Sequence, residues 1–436
     1  MLLPVPKAAV DLIAAAATPA GAGGIGIIRV SGDGVDCLAR GILSSGRLPP
    51  ARYAAREQFI DGEGRVLDDG VCIYFPAPHS FTGQDVLELH GHGGTASLRE
   101  ILSRCYVLGA RAAEAGEFSL RAYLNGKMDL AQAEAVSDLI NANTAAAARA
   151  AARAAGGEFS RRAHELCSGL LTLRADMEAA VDFSDEDTGV VEDFAARITV
   201  LRQQTATFLT ECENGARLAS GMTVAIVGHP NAGKSSLFNA LCGEEAAIVC
   251  AEAGTTRDII LRDVEINGVS VRLTDAAGLR EDAGGVEQEG IRRALVAAST
   301  ADLVLLVSED DNEPAVTAAS VLRVHNKIDT RGLSSGRRDN AVYVSAKTGE
   351  GITALQEAIV EVTVGGEAPF TARARHVAAL TECISHITQA EQCGTQAEVA
   401  AAWLSSAHTA AALLTGESVD DEKVLGEIFS RFCIGK

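Results

Sequence analysis

Nine consecutive residues, Gly228-His229-Pro230-Asn231-Ala232-Gly233-Lys234-Ser235-Ser236, place a lysine and a hydroxyl at the end of a glycine-rich turn in the Gly-x4-Gly-Lys-Ser spacing. Small residues let successive backbone N–H groups and a helix N-terminus face an anion. Lys234 adds a point charge toward the outer phosphates of a nucleotide, and the Ser235 hydroxyl can ligate magnesium. The pattern carries that meaning only between a strand and a helix. Both flanks fit: the apolar run Val224 to Val227 reads as a buried strand, and Leu237-Phe238-Asn239-Ala240-Leu241 as the opening of a helix. A glycine-rich turn that merely starts a helix does not require the lysine and serine at these positions.

Four further elements follow in the order a guanine-nucleotide switch domain needs. The segment Cys250-Ala251-Glu252-Ala253-Gly254-Thr255-Thr256-Arg257-Asp258 supplies a loop with threonines, of which Thr256 is placed to complete a magnesium shell and sense a terminal phosphate. Val264-Glu265-Ile266 and Val269-Ser270-Val271 flank Asn267-Gly268, a two-residue hairpin signal, and the second strand runs into Asp275-Ala276-Ala277-Gly278. Asp275 would hold magnesium through water, and the Gly278 N–H would meet the γ-phosphate. Asn326-Lys327-Ile328-Asp329 follows the apolar run Val321 to Val324; the Asp329 carboxylate can accept two N–H donors from guanine, a pattern adenine does not offer. Ser345-Ala346-Lys347, after the strand Ala341 to Val344, closes the base pocket.

The group that drives hydrolysis is less plain. Ras-like enzymes carry a Gln directly after the Asp-x-x-Gly element to orient the attacking water, whereas here that position is Leu279. The carboxylates Glu281, Asp282, Glu287 and Glu289 are alternatives, Arg257 and Arg280 are the arginines at hand, and an external cation is a substitute for an arginine finger.

These loops need a scaffold, and the chain around them changes character twice. Short β-rich runs at Ile25 to Val30, Val71 to Phe75 and Val86 to Leu89, broken by Gly and Pro, predict a compact α/β domain over residues 1–124. It has polar groups in unexpected places: Arg29 and Glu88 inside strands, and His90-Gly91-His92-Gly93-Gly94 after one. The His-x-His pair has no third metal ligand nearby and reads as a turn entering a helix. The glycines Gly21 to Gly24 precede a strand instead of following one, so they are not a nucleotide loop. Helical period begins at Leu130, Ala133, Ala135, Val136, Leu139 and Ile140, continues through Thr144 to Ala155, and covers about Phe159 to Val181 and Val191 to Leu218, with an acidic turn at residues 182–187 between them. It resumes after Gly365-Gly366-Glu367-Ala368-Pro369, at Val377, Leu380, Ile384 and Ile387, then over Val399 to Leu414 and Val424 to Phe432. The expected organisation is multidomain α/β plus all-α: an α/β domain over 1–124, and a helical domain over 125–219 and 367–436 interrupted by an inserted Ras-like P-loop domain over 220–366.

The 436 residues suffice for several domains with real cores. A formal charge of −20 argues against gripping nucleic acid through a broad basic surface. Ten cysteines without a Cys-x2-Cys pair indicate neither a zinc module nor a disulfide scaffold, and fit a reducing cytoplasm. No targeting peptide is evident, and no apolar run approaches the ~18 residues of a membrane span.

The chain resembles the tRNA-uridine-modification GTPases of the MnmE/TrmE type along essentially its whole length. The resemblance rests on Ala17-Thr18-Pro19, Gly23-Gly24-Ile25 and Ile28-Arg29-Val30-Ser31-Gly32; on Ala77-Pro78-His79-Ser80-Phe81-Thr82-Gly83; on Gly116-Glu117-Phe118-Ser119 and Leu130-Ala131-Gln132-Ala133-Glu134-Ala135; on the GTPase elements; and on the terminal Phe432-Cys433-Ile434-Gly435-Lys436. It implies an amino-terminal folate-binding domain that also makes a homodimer. A tetrahydrofolate derivative, 5,10-methylene or 5-formyl, would be held there by Arg29, Glu88, Lys127 and Lys436. It implies carboxymethylaminomethyl or aminomethyl transfer to C5 of the wobble uridine of certain tRNAs, with an FAD-containing MnmG/GidA-type partner. It also implies potassium in place of an arginine finger, with Asn231, Thr255 and the carbonyls of Cys250 and Glu252 as ligands, and Glu287 positioning the attacking water. Asp-Ala-Ala-Gly and Cys250-Ala251-Glu252 depart from the family's usual filling. Cys433 imitates a prenylation box, but Gly435 and Lys436 do not suit one; by the resemblance its thiol lies near the folate, which makes it a candidate for the chemistry. The rival expectation is a switch GTPase acting in ribosome or complex assembly, with no use for the Arg29, Glu88, Lys127 and Lys436 constellation.

Overall fold

The computed structural model describes residues 11–182, 190–229, 231–243, 260–275, 301–308, 320–338, 341–363, 368–393, 396–416, 425, 428–430 and 432–435. The chain divides into two compact units, residues 1–137 with 415–436, and residues 138–414. The sequence-based limits at 124, 219 and 366 do not coincide with these bounds: residues 125–137 and 415–436, expected in the helical domain, group with the first unit.

The first unit is built on a sheet of strands β1 (Ile13–Ala16), β2 (Gly23–Ser31), β3 (Ala55–Ile60), β4 (Val66–Phe75), β5 (Val86–Gly93) and β6 (Arg111–Ala112), in the order β3-β4-β5-β2-β1-β6. All neighbours are antiparallel except β1 and β6. Alternation sends Ile28, Val30, Leu87 and Leu89 to one face, where they pack with Leu38 and Ile42 of α1 (Val35–Ile42) and Ile101 and Cys105 of α2 (Thr95–Val107). On the other face Ile13 and Ala15 meet Phe118 of α3 (Glu117–Leu124) and Phe81. At the start of α4 (Leu130–Asn141), Leu130 and Ala133 join Leu425, Phe429 and Phe432 from the end of the chain. Gly116 is left-handed, with φ 67°, and a Cβ there would collide with the Phe429 carbonyl, so this approach of the carboxyl-terminal segment depends on glycine.

Two local expectations are corrected. The residues His90 to Gly93 are not a turn into a helix but the end of β5, paired with β2 through Gly91 with Gly26 and Gly93 with Gly23. A Cβ on Gly93 would collide with the Gly23 carbonyl, so the glycines allow a close strand pair where the sequence suggested a loop. The apolar stripe of α4 also ends early: Leu139 and Ile140 are 40% and 39% exposed, while Glu134 and Ser137 are buried. The last turn of α4 belongs to the second unit and leaves the core that holds Leu130 and Ala133.

In the second unit α5 (Ala145–Ala155), capped by the Thr144 hydroxyl, precedes α6 (Glu158–Asp182) and α7 (Val190–Ser220). Only Gly221 separates α7 from β7 (Met222–Gly228). Then come α8 (Lys234–Cys242), β8 (Ile260–Ile266), β9 (Val269–Asp275), β10 (Leu303–Ser308), β11 (Val321–His325), α9 (Ile328–Arg331), β12 (Gly336–Arg338), β13 (Ala341–Tyr343), α10 (Ile352–Thr363), α11 (Ala374–Gln392) and α12 (Ala397–Ala412). The sheet order is β12-β13-β11-β10-β7-β9-β8, parallel through β13-β11-β10-β7-β9 with an antiparallel hairpin at each edge. Asn267 and Gly268 both have positive φ, 48° and 84°, the type I′ turn their pairing signals.

Helices from both sides of this sheet in the chain form one bundle: α6 packs on α7 and α12, and α11 on α7 and α12. Its aromatic centre joins Phe159 of α6, Phe208 of α7, His376 of α11 and Phe370 just before α11, with ring centroids 4.4 to 5.8 Å apart. Gly215 of α7 lets the Phe370 backbone lie against the helix, since a Cβ would collide with its carbonyl. Among the described residues no helix is long and apolar enough to cross a membrane, and no three His, Cys, Asp or Glu are grouped to hold a metal.

The first unit also buries a charge cluster. Arg121, with 2% of its side chain exposed, donates to Asp11 Oδ1 at 2.8 Å, Glu117 Oε1 at 2.8 Å and Gln84 Oε1 at 3.1 Å. Arg111 donates to Glu117 at 2.6 and 2.8 Å. Burial alone would raise the Glu117 carboxyl, but Arg111, the Glu114 amide and Arg121 outweigh it and hold it at about 2, against an ordinary 4.5. A depressed folded-state pKa contributes stability above the ordinary value, and that contribution is lost as pH falls from about 4.5 toward 2. Glu117→Gln should therefore cost about 3 kcal/mol at pH 7 by removing one of the two carboxylates that pair buried Arg121, and should flatten the acid profile in that window. Hydrogen exchange of the α3 amides between pH 7 and pH 2 checks both; an unchanged acid profile in the variant would contradict this assignment.

Candidate functional site

The nucleotide-type loop lies where β7 meets α8. Gly228, the last residue of β7, pairs with Val307 of β10, and a Cβ at Gly228 would collide with the Val307 carbonyl. Asn231 is left-handed at φ 63°, a conformation asparagine tolerates. Gly233 is left-handed at φ 86° and forms the N-cap of α8 without a side-chain cap, so the first N–H groups of α8 point into the loop unshielded by a capping side chain. Lys234 Nζ donates to the carbonyls of Gly228 at 3.0 Å and His229 at 2.8 Å, which keeps its ammonium inside the loop. Ser235 and Ser236 are exposed on the first turn of α8, while Ala232 is buried. Pro230 lies outside the described residues.

One buried side chain joins three segments. Asn326, 2% exposed, donates through Nδ2 to the carbonyls of Ala232 at 3.0 Å and Gly233 at 3.4 Å, and accepts the Ala346 N–H on Oδ1 at 3.0 Å. Any Cβ on Gly233 would strike this amide, which gives that glycine a second reason to be one. Lys327, itself left-handed at φ 61°, donates to the Asn231 carbonyl at 2.6 Å. The fully buried Ser345 donates its hydroxyl to Asp329 Oδ1 at 2.8 Å and accepts the Thr348 N–H at 3.2 Å. Asp329 is exposed, with one carboxylate oxygen oriented from behind by Ser345; Lys347, two residues after Ser345, is exposed as well. The structure thus brings Asn231, Ala232, Gly233, Asn326, Lys327, Asp329, Ser345 and Ala346 into one connected set.

Asp275 ends β9, paired with Ile226 of β7 and Ile260 of β8, which brings its backbone alongside the strand that feeds the loop. Cys250, Ala251, Glu252, Ala253, Gly254, Thr255, Thr256, Ala276, Ala277, Gly278, Leu279 and Glu287 lie outside the described residues, as do Arg257, Arg280, Glu281, Asp282 and Glu289, residues 183–187 of the acidic turn, and Lys436.

The first unit assembles a second polar constellation. Arg29 of β2 faces Glu88 of β5 in register, and its Nε and Nη2 both donate to Glu88 Oε1, at 3.0 and 2.9 Å. The rings of Phe81 and Phe118 lie 5.5 and 5.8 Å from the guanidinium carbon, and Nη1 reaches the Gly435 carbonyl at 3.4 Å. His90 Nε2 meets Glu88 Oε2 at 3.1 Å. Hydrogen bonding from His90, then the charge and hydrogen bonds of Arg29, overcome burial and hold the Glu88 carboxyl below the usual range. Lys127 is exposed and donates to the Pro78 carbonyl at 3.0 Å, next to Asn125, which holds the Thr82 carbonyl at 2.7 Å. Cys433 is exposed, and its carbonyl accepts the Gly116 N–H at 3.4 Å. His92 pairs instead with Asp68, at 2.6 Å, so the two histidines serve different carboxylates.

Sequence reasoning did not find the Arg121 cluster or the His90 link. The i,i+4 spacing of Glu117 and Arg121 and the same-face alternation of Glu88 and His90 were the available signals.

Family models place both regions. The MnmE helical domain matches residues 130–433, and the GTP-binding protein TrmE N-terminus matches residues 12–127. The tRNA modification GTPase MnmE of Thiobacillus denitrificans is 46% identical over 440 residues, covering 98% of each chain. That of Nitrosomonas eutropha is 46% identical over 454 residues, covering 98% of this chain and 99% of the relative. Among solved structures, the G domain of the T. maritima FeoB iron transporter is similar over 32% of this chain and 98% of its own, at 27% identity and a TM-score of 0.25, too low to carry an argument. With nearly half its residues identical to full-length relatives from end to end, the chain belongs to the MnmE family of tRNA modification GTPases.

Proposed function

We propose that this protein is a GTP hydrolase of tRNA modification, activated by potassium and dependent on magnesium. With an FAD-containing MnmG/GidA-type partner it installs an aminomethyl or carboxymethylaminomethyl group at C5 of the wobble uridine of certain tRNAs. The observation that carries this reading is the presence in one chain of two separate constructions: the loop clamped by Asn326, and the Arg29 and Glu88 pair of the first unit. A switch protein acting only in ribosome or complex assembly has use for the first and none for the second. The site of action is the cytoplasm, and the working form is a homodimer made through the first unit.

In the nucleotide site Asp329, held by Ser345, accepts the guanine N–H donors. The uncapped first turn of α8 and the Lys234 ammonium suit a polyphosphate, and the exposed Ser235 hydroxyl suits magnesium, with Thr256 and Asp275 as its further partners. Asn231, Thr255 and the carbonyls of Cys250 and Glu252 are the proposed potassium ligands, and Glu287 orients the attacking water. In the first unit the two cations Arg29 and Lys127 and the anionic Glu88 fit a ligand with both acidic and amide-like groups, as tetrahydrofolate has; Lys436 completes the set. The folate supplies the one-carbon unit, in the 5,10-methylene or 5-formyl form, while FAD stays on the partner. Cys433, exposed beside Gly435, is the thiol available to that chemistry.

Replacing sodium by potassium should raise the GTPase rate, and Glu287→Ala should lower kcat by on the order of a hundredfold with nucleotide binding intact; equal rates in the two salts would remove the potassium mechanism. Calorimetric titration with 5-formyltetrahydrofolate should give saturable binding, weakened at least tenfold, or about 1.4 kcal/mol, in Arg29→Ala. A parent protein with no saturable binding would return the reading to a pure switch GTPase.

A further inference from the structure

Arg29 and Glu88 do not pair as such residues usually do. An arginine and a carboxylate that lie side by side settle into a fork, with two N–H groups on two different oxygens. Here Nε and Nη2 of Arg29 both donate to the same oxygen, Oε1, at 3.0 and 2.9 Å. The second oxygen, Oε2, is turned toward His90, whose Nε2 lies 3.1 Å away. A carboxylate only accepts, so the imidazole donates through Nε2–H. Among the described residues Oε1 thus has two donors, which fill its two lone pairs, and Oε2 has one, which leaves a single acceptor position.

The guanidinium cannot readily shift to restore the fork. It lies against the Phe81 and Phe118 rings and reaches the Gly435 carbonyl, with 18% of its side chain exposed. The terminal torsion of a glutamate, in contrast, is broad and cheap to turn. His90 is two residues along β5 from Glu88, on the same face of the strand, with its side chain 24% exposed. It faces Ile27 of β2 and Val71 of β4 across the sheet.

We propose that His90 is a positioning residue which prevents Glu88 from closing on Arg29 as a bidentate pair, and so keeps one acceptor position on Oε2 open to an N–H donor of the bound ligand. This rests on the one-carbon reading of the site, in which the donor belongs to the amide-like edge of a pterin ring. Without His90 the carboxylate turns, gives both oxygens to Arg29, and withdraws from the ligand. The ion pair then strengthens while binding weakens, so stability and affinity move in opposite directions, which a merely structural histidine would not produce.

The test is a mutant cycle on the full chain with 5-formyltetrahydrofolate as the probe. His90→Ala should weaken binding about tenfold with an unchanged or raised melting temperature. His90→Gln, whose amide N–H can still donate, should recover to within about threefold of the parent. In a Glu88→Gln background, His90→Ala should add no further loss. Unchanged affinity in His90→Ala, or an equal loss in the Glu88→Gln background, overturns the proposal. A ligand-free arm separates this from the one-carbon reading. The imidazole 15N signals of His90 should change between the parent and Glu88→Gln; identical signals overturn the pairing even where the parent binds no folate, whereas changed signals in a protein that binds none leave His90 holding Glu88 and end only the folate reading.

Discussion

The second unit depends on one buried amide. Asn326 is too deep to be solvated, so each of its polar atoms must find a partner within the protein. It finds them in two other loop segments: the carbonyls of Ala232 and Gly233, and the N–H of Ala346. The left-handed Gly233, whose Cβ would strike the Asn326 amide, and the reach of Lys327 to the Asn231 carbonyl belong to that convergence. The parallel strands β7, β10, β11 and β13 end beside one another and deliver the loops to the same edge, which is where an open α/β sheet presents a ligand site.

The first unit solves a different problem with similar means. Its sheet buries aliphatic side chains under α1 and α2, but its other face carries charged groups. Arg29 is tolerated there because Glu88 pairs it and two aromatic rings cover it. Arg121 is tolerated because Asp11, Glu117 and Gln84 surround it. Gln84 and Ser31 connect this cluster to Thr82, in the same loop as Phe81 and Pro78. The buried ions thus hold the loop that covers Arg29 and receives Lys127.

Much of this architecture was legible in the residues. Asn267-Gly268 announced a hairpin, the short β-rich runs at Ile25 to Val30 and Val86 to Leu89 announced strands, and the long helical periods on both sides of the sheet announced a bundle interrupted in the chain. What was not legible depended on partners far away in sequence. The stretch His90 to Gly93 looked like a loop because glycine is a poor strand former alone, and became a strand because glycines of β2 stand opposite. Leu139 and Ile140 continued an apolar period that the core beneath α4 does not follow. His376 gave no sign that its ring would lie 4.4 Å from that of Phe159. Of the nucleotide residues, those on strand ends and their following turns are located; residues 244–259 and 276–300 lie outside the described residues.

In the proposed function a GTP site and a one-carbon site in one chain act together on the wobble uridine of tRNA. Mass spectrometry of the wobble nucleoside, in tRNA incubated with this protein, a matching FAD-containing partner, the folate and GTP, tests that union directly. The expected product is a C5 aminomethyl or carboxymethylaminomethyl uridine that is lost when GTP, the folate or potassium is withheld. Unmodified uridine in the complete mixture, with both small molecules shown to bind, would contradict it.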